Sequence, residues 1–172
     1  MRDDLIVAVD EKDTLLGYIE RGVAHDEREL RWHREVMLLL YTGAGRKNFL
    51  LQHRSMKKKQ LPGYWTLSVT GHVDFNDLSR HDPEGYVTAA KREAKEEIGV
   101  DVKNLELVTK LPQRLPQNLA MMGVVIGEYS GEIQPDPKEV SEVAEFSKQS
   151  VQTMHGRLTP GAEACLKYLN LL

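Results

Sequence analysis

An α/β fold, with a mixed β-sheet sandwiched between helices, is the architecture this sequence predicts. Three observations predict it. Short runs of strand composition lie on both sides of a central segment, residues 85–98, whose apolar residues recur at helical spacing. The run VMLLLY at 36–41 lacks alternation, so that strand is expected to be covered on both faces. Thr159-Pro160 places a cap residue before a first-turn proline, which predicts a closing helix through Leu172. Sheet strands with helices on either side make a layered α/β domain.

Residues 5–9 (LIVAV) and 14–20 (TLLGYIE) read as strands around the polar turn Asp10-Glu11-Lys12-Asp13. A polar loop from Arg21 to Trp32 follows and carries His25. Residues 34–42 (REVMLLLYT) and 48–53 (NFLLQH) are strands joined by a hairpin connection, Thr42-Gly43-Ala44-Gly45-Arg46-Lys47. Pro62-Gly63 marks a turn before WTLSVTGHV, one short strand ending at Gly71. The central helix stops at Gly99. Strands return at 105–110 and 119–129, with a weaker one near 142–146, and residues 147–154 make a short helix.

The 172 residues fit a single domain, 1–172, large enough to bury a real core. Net charge is −3, from 26 acidic against 23 basic residues, so the chain lacks the basic excess that holds a nucleic-acid polymer by its phosphates. One cysteine, Cys165, excludes a disulfide framework and a cysteine zinc cluster. The longest apolar runs are too short to span a bilayer, so no membrane partner is expected. The opening MRDDLIVAVD carries acids where a signal peptide carries basic charge, which makes the cytoplasm the expected compartment.

Chemistry concentrates in EGYVTAAKREAKEEIGV, residues 84–100. Successive helical residues turn by about 100°, so Glu93, Glu96 and Glu97 share an arc of about 100° beside the apolar stripe Val87, Ala90, Ala94 and Ile98. Glu93 and Glu97 form a like-charge i,i+4 pair, which costs about 0.2–0.5 kcal/mol in an isolated helix. Their place near the negative end of the helix dipole adds to that cost. A divalent cation reverses the sign of each of these terms, and oxygen-only ligands suit Mg²⁺ or Mn²⁺. The plainer reading is a solvated acidic face with an ordinary Arg92–Glu96 pair.

These residues resemble the Nudix box, G-x5-E-x7-R-E-U-x-E-E-x-G-U, where U is aliphatic. Glu84 lies eight positions before Arg92, and Arg92 to Val100 satisfies every later position. Gly71 to Glu84 encloses twelve residues, seven more than the pattern allows. The resemblance implies the Nudix fold, an α/β/α sandwich, and Mg²⁺-dependent hydrolysis of a nucleoside diphosphate derivative or a related small phosphorylated substrate. It implies Glu96 and Glu97 as metal ligands, Glu93 as a further ligand or the group that positions water, and the Thr70 carbonyl as a backbone ligand. Arg92 would orient the acids, with Glu84 as its partner.

A wider resemblance covers most of residues 5–145. LLGYIERGVAHDE, Trp32-His33-Arg34, LLQHRSMKKKQLPGYWTLSVTGHVD and EVSEVAEF look like the isopentenyl-diphosphate isomerase-like branch of the same superfamily. In the isomerases three histidines bind a metal, and the matching residues are His25, His33 and His72. Two departures separate this chain from them. Thr70 stands at the position of the isomerase cysteine, and Pro116-Gln117-Asn118-Leu119 has no acid where a pair of glutamates belongs. A threonine hydroxyl has a pKa far above neutrality and cannot replace a thiol in proton transfer. The expectation is therefore a hydrolase on an isomerase-like frame. The alternatives are an isomerase with another proton donor, or a non-catalytic module that senses a nucleotide or a partner protein.

Within that frame, Arg54 and Lys57 are expected near the substrate diphosphate, together with His72 beside Gly71. His25 and His33 are expected to be surface residues of a polar loop, since an oxygen-rich Mg²⁺ site needs neither. Tyr64 and Trp65 read as turn and core anchors. Glu128, or an acid between 136 and 145, completes the site. Substrate choice is expected in the insert Val73–Pro83 and in the loop 111–119. A homodimer remains open, since dimers are common in this superfamily.

Overall fold

The computed structural model describes residues 5–26 and 28–172. The N-terminal acids Asp3 and Asp4 lie outside them. Strands β1 (Leu5–Val9) and β2 (Leu15–Glu20) pair antiparallel around the expected polar turn, where Asp10 Oδ1 accepts from the Lys12 and Thr14 N–H groups at 2.8 Å. The expected loop then begins with one helical turn, α1 (Arg21–Ala24), whose Ala24 is buried. Strand β3 (His33–Thr42) is the centre of the sheet. It meets β1 at His33 and forms the expected hairpin with β4 (Asn48–Arg54) at Tyr41 and Thr42.

The run WTLSVTGHV, expected as one strand, is two: β5 (Trp65–Leu67) and β6 (Val69–His72). Buried Ser68 makes the break. Its Oγ accepts from the Leu40 N–H at 2.8 Å and donates to the Leu50 carbonyl at 2.6 Å. With those two backbone groups satisfied by a side chain, the chain leaves β4, the partner of β5, and joins β3 as β6.

Helix α2 (Tyr86–Ile98) ends as expected at Gly99, whose φ of 70° is the left-handed conformation glycine adopts freely. Strand β7 (Glu106–Leu115) runs five residues past its expected end and β8 (Asn118–Glu128) starts one residue early, leaving only Pro116 and Gln117 between them. Pro112 obscures β7 in the sequence, yet it is tolerated because β7 is an edge strand paired only with β8. Strand β8 lies parallel to β3 from His33↔Ala120 to Tyr41↔Glu128, so the sheet is mixed. Strand β9 (Val140–Ser147) adds to β4. The short helix α3 (Lys148–Val151) follows, capped by Ser147. Helix α4 (Pro160–Tyr168) is capped by Thr159 Oγ1 and stops four residues before Leu172.

Both faces of β3 are covered, as its apolar run predicts. Val36, Leu38 and Leu40 pack with Ala90, Ala94 and Ile98 of α2. Met37, Leu39 and Tyr41 pack with Ala162, Cys165 and Leu166 of α4. Among the described residues no helix is long and apolar enough to cross a membrane.

Candidate functional site

Of the three carboxylates of α2, Glu96 is exposed, but Glu93 and Glu97 are withdrawn from solvent. Glu97 is 4% exposed, and its Oε2 accepts from Gln52 Nε2 at 2.8 Å and from the Thr70 N–H at 3.1 Å. Glu93 lies over Gly71, where an added Cβ would come within 2.2 Å of the Glu93 Cδ. Only glycine at 71 lets strand and carboxylate approach so closely. Burial pushes the Glu93 carboxyl up to about 8 against the opposing charge of Arg92. Burial raises Glu97 as well, against the hydrogen bonds from Gln52 and Thr70. A cavity of about 390 Å³ opens here, lined by Thr70, Glu93, Glu96, Glu97, Asp136 and Glu139. Hard oxygen donors, two of them penalised for carrying charge, converge on one space. That donor set fits Mg²⁺ or Mn²⁺.

Arg92 organises this face. Its Nη1 donates to Glu93 Oε1 at 2.8 Å and Glu96 Oε2 at 3.2 Å, and its Nη2 donates to the His72 carbonyl at 2.9 Å. The partner expected for it, Glu84, is elsewhere, accepting from Lys110 Nζ at 2.6 Å. Asp77 takes that place, bound in a fork by Arg92 Nε at 3.1 Å and Nη2 at 2.8 Å. Gly71 and Asp77 enclose five residues, the spacing of the box, so the seven extra residues lie after the acid rather than before it. Counting forward from Gly71, with aspartate allowed for glutamate, would have found it. Of the rest of the insert Val73–Pro83, Asp74 lines this cavity with its Oδ2 3.4 Å from Arg92 Nη2. Asp82 Oδ2, by contrast, accepts from the Thr88 N–H at 2.7 Å, and none of residues 75–85 lines this cavity or the next.

The histidines overturn the expectation of surface residues. His25, His33, His72 and Glu35 offer ligand atoms that all lie within 4.8 Å of one another, and His33 is fully buried. The turn of α1 delivers His25. His33 and Glu35 share one face of β3, and Glu35 is directly opposite His72. His25 Nε2 and His72 Nε2 are 2.9 Å apart, and His33 Nε2 is 3.3 Å from Glu35 Oε1. His33 Nδ1 donates to the Arg31 carbonyl at 2.9 Å, so a neutral ring turns its Nε2 lone pair toward the carboxylate. A second proton or a metal ion must lie between them. Burial pushes His72 well below 6.5 and lowers His25, while bonds and charge from His33 and His72 outweigh burial and hold Glu35 at about 2. Imidazole nitrogens together with a carboxylate suit a borderline metal ion. Glu35 was missed because it sits at the start of an apolar run.

A second cavity, of about 110 Å³, meets the first at Thr70, Gly71 and His72. Arg21, Arg54 and Lys58 line it, and Arg21 and Lys58 line both. Arg54 is held by the carbonyls of Gln60 and Leu61, at 2.9 to 3.2 Å. The lysine at this junction is Lys58, paired with Glu139, rather than the expected Lys57, which faces a neighbouring basic hollow. Glu128 is also elsewhere, paired with Arg46 at 2.8 Å. Of the acids between 136 and 145, Asp136 and Glu139 reach the site. Cys165 is buried in α4 among apolar residues, its thiol pushed up to about 12.

The isopentenyl-diphosphate Delta-isomerase of Streptomyces coelicolor is 29% identical over 163 residues, 90% of this chain and 77% of that protein. An uncharacterized Nudix hydrolase of Pseudomonas aeruginosa, PA4841, is 27% identical over 168 residues, 98% of this chain and 92% of that one. The crystal structure of DR0079 from Deinococcus radiodurans has the same fold, with a TM-score of 0.71 and 20% identity over 95% of this chain and 98% of that one. The family model of the NUDIX domain matches residues 31–169, and the chain belongs to the Nudix family.

Proposed function

We propose that this protein is a metal-dependent hydrolase of a diphosphate linkage in a small phosphorylated substrate, such as a nucleoside diphosphate derivative. The observation that carries this reading is the juxtaposition at the cavity. Buried carboxylates of α2 form one wall, and Arg21 and Lys58 stand on the same space. Glu93, Glu96, Glu97 and the Thr70 carbonyl would hold Mg²⁺ or Mn²⁺. When bound, such an ion polarises the phosphoryl oxygens and lowers the pKa of water. Glu93, which lies against Gly71 at the edge of the cavity, positions the attacking water and takes its proton. Arg92 keeps Glu93 and Glu96 aligned, and Asp77 keeps Arg92 in place. Arg21, Arg54 and Lys58 neutralise and orient the diphosphate. A bond forms from water oxygen to phosphorus, and the bridging P–O bond breaks to leave two phosphorylated or phosphate products.

A panel of nucleoside di- and triphosphates, dinucleotides, nucleotide sugars and isoprenoid diphosphates, assayed with Mg²⁺ and after chelation, tests the reading. Turnover of at least one member that vanishes on chelation is expected. Turnover that survives chelation, or wild-type rates in Glu97→Gln, would sink it.

One observation favours a second reading, isopentenyl-diphosphate isomerisation: the cluster of His25, His33, His72 and Glu35. Against it stand the hydroxyl of Thr70 and the neutral amide of Asn118, neither of which exchanges protons near neutrality. Formation of dimethylallyl diphosphate from isopentenyl diphosphate would establish that reading in place of the first.

A further inference from the structure

The smaller cavity has two unlike ends. Arg21, Arg54 and Lys58 form a cationic end, and Gln113, Gln117 and Asn118, around the β7–β8 turn, form a neutral amide end. Asn118 is 6% exposed, and its Oδ1 is the one buried side-chain polar atom among the described residues without a hydrogen-bond partner. The orientation of this amide is fixed. Its Nδ2 donates to Glu35 Oε1 at 2.9 Å and faces Gln113 Oε1 at 3.5 Å, so turning it over would set oxygen against a carboxylate. Glu35 in turn is fixed by His33 and by its pairing opposite His72. Asn118 thus lines the cavity while its fixed amide holds a buried acceptor for which the chain supplies no donor. Buried polar groups without a partner cost free energy, and a ligand that supplies one recovers it.

We propose that Asn118 is a specificity-determining residue whose Oδ1 accepts an N–H from the uncharged head of the diphosphate substrate. A head with an amino or lactam N–H, as every nucleobase carries, satisfies Asn118. A hydrocarbon head, as in an isoprenoid diphosphate, leaves it unpaired. Sites built to pair a ligand's polar hydrogen discriminate strongly against analogues that lack it. Gln113 and Gln117 line the same end and offer further amide groups to the rim of such a ring. This inference rests on the diphosphate reading for the cationic end alone, and its test does not need turnover.

Calorimetric titration of the intact chain with the four common nucleoside monophosphates, and with counterparts whose base N–H groups are methylated, reads the contact directly. We expect at least one free base to bind tenfold or more tightly than its methylated counterpart in the wild type. In Asn118→Ala that ratio should fall to within threefold, and Asn118→Ser provides a second variant should alanine disturb folding. A merely structural role, exerted through Glu35, would weaken both ligands in parallel and leave the ratio intact. Absence of a methylation penalty for all four bases, or a ratio that persists in both variants, would overturn the proposal. Hydrolysis of the corresponding diphosphates is followed alongside. Base preference without turnover sinks the hydrolase reading alone, and turnover without base preference sinks this one alone.

Discussion

Strand β6 divides two ligand clusters of different chemistry. On one face Gly71 admits Glu93 from α2, and Glu97 closes on the Thr70 N–H. On the other, His72 meets His25, His33 and Glu35. The pleat of a strand sends successive side chains to opposite faces, so a glycine beside a histidine places the helix on one side and the imidazole cluster on the other. The first cluster is all oxygen and partly open, with Glu96 at 58% side-chain exposure. The second is built around a fully buried ring. A hard ion that keeps its waters and must touch substrate fits the open cluster, whereas a borderline ion held by imidazoles fits the closed one. Two neighbouring clusters thus need not share a metal or a task.

Glu97→Gln is the sharpest way to break that division. It keeps the volume and the bond from Gln52 but removes the buried charge, and it should lower diphosphate turnover by about 10²–10³-fold or more. His33→Gln should lower Mg²⁺-supported turnover by less than about tenfold, since it removes no oxygen ligand. Steady-state rates on the same substrate compare the two. Equal losses would mean that both clusters serve a single centre.

Gly71→Ala tests the close approach itself. The new methyl would stand 2.2 Å from the Glu93 Cδ, so the carboxylate must move. Displacement of a reacting group by about 1 Å is enough to cost about 10²-fold, and the Mg²⁺ concentration needed for half-maximal rate should rise with it. An alanine variant with unchanged kinetics would show that Glu93 does not act where it lies.

These two clusters were unequally legible, for a physical reason. Glu93, Glu96 and Glu97 lie within five residues of one helix, whose period alone fixes their face. His25, His33, Glu35 and His72 come from the end of α1, two positions of β3 and one of β6, and only strand pairing assembles them. A signal existed, in that His33 and Glu35 share a parity, but nothing local told which strand would lie opposite. The same holds for Asp77, which a spacing counted back from Arg92 passed over. It holds for Ser68 too, whose break in the strand depends on the backbone groups of Leu40 and Leu50. The layers, the doubly covered β3 and the capped ends of α2 and α4 follow from local composition and were legible.

A smaller effect isolates the imidazole side. Co²⁺ added to the metal-free chain should give the visible absorption of a nitrogen-rich site, and His33→Gln should weaken that Co²⁺ affinity by about tenfold or more. Glu96→Gln, on the opposite face of β6, should leave the band in place. A band that depends on Glu96 would merge the two clusters again.

The smallest effect distinguishes them by sign. In the metal-free chain the Glu93 carboxyl, pushed up from 4.5 to about 8 by burial, holds a proton that the unfolded chain has already lost. Between those values the folded state binds more protons than the unfolded one, so stability falls as pH rises, with a slope of at most about 1.4 kcal/mol per pH unit for one proton. The buried imidazoles act oppositely. His25 and His72 are lowered from 6.5, so the unfolded state binds more protons below that pH, and their contribution is lost as pH falls. The two slopes oppose each other below about 6.5, and only the glutamate slope survives from there to about 8. Chemical denaturation of the chelated protein at intervals across that upper window should show stability declining with pH. Glu93→Gln should lessen the decline, to which Glu97, raised by burial as well, also contributes, and His72→Gln should leave it. Mg²⁺ should flatten it as well, because a cation on the carboxylates favours their charged form. A decline that His72→Gln abolishes and Glu93→Gln does not would assign the proton to the wrong face of β6.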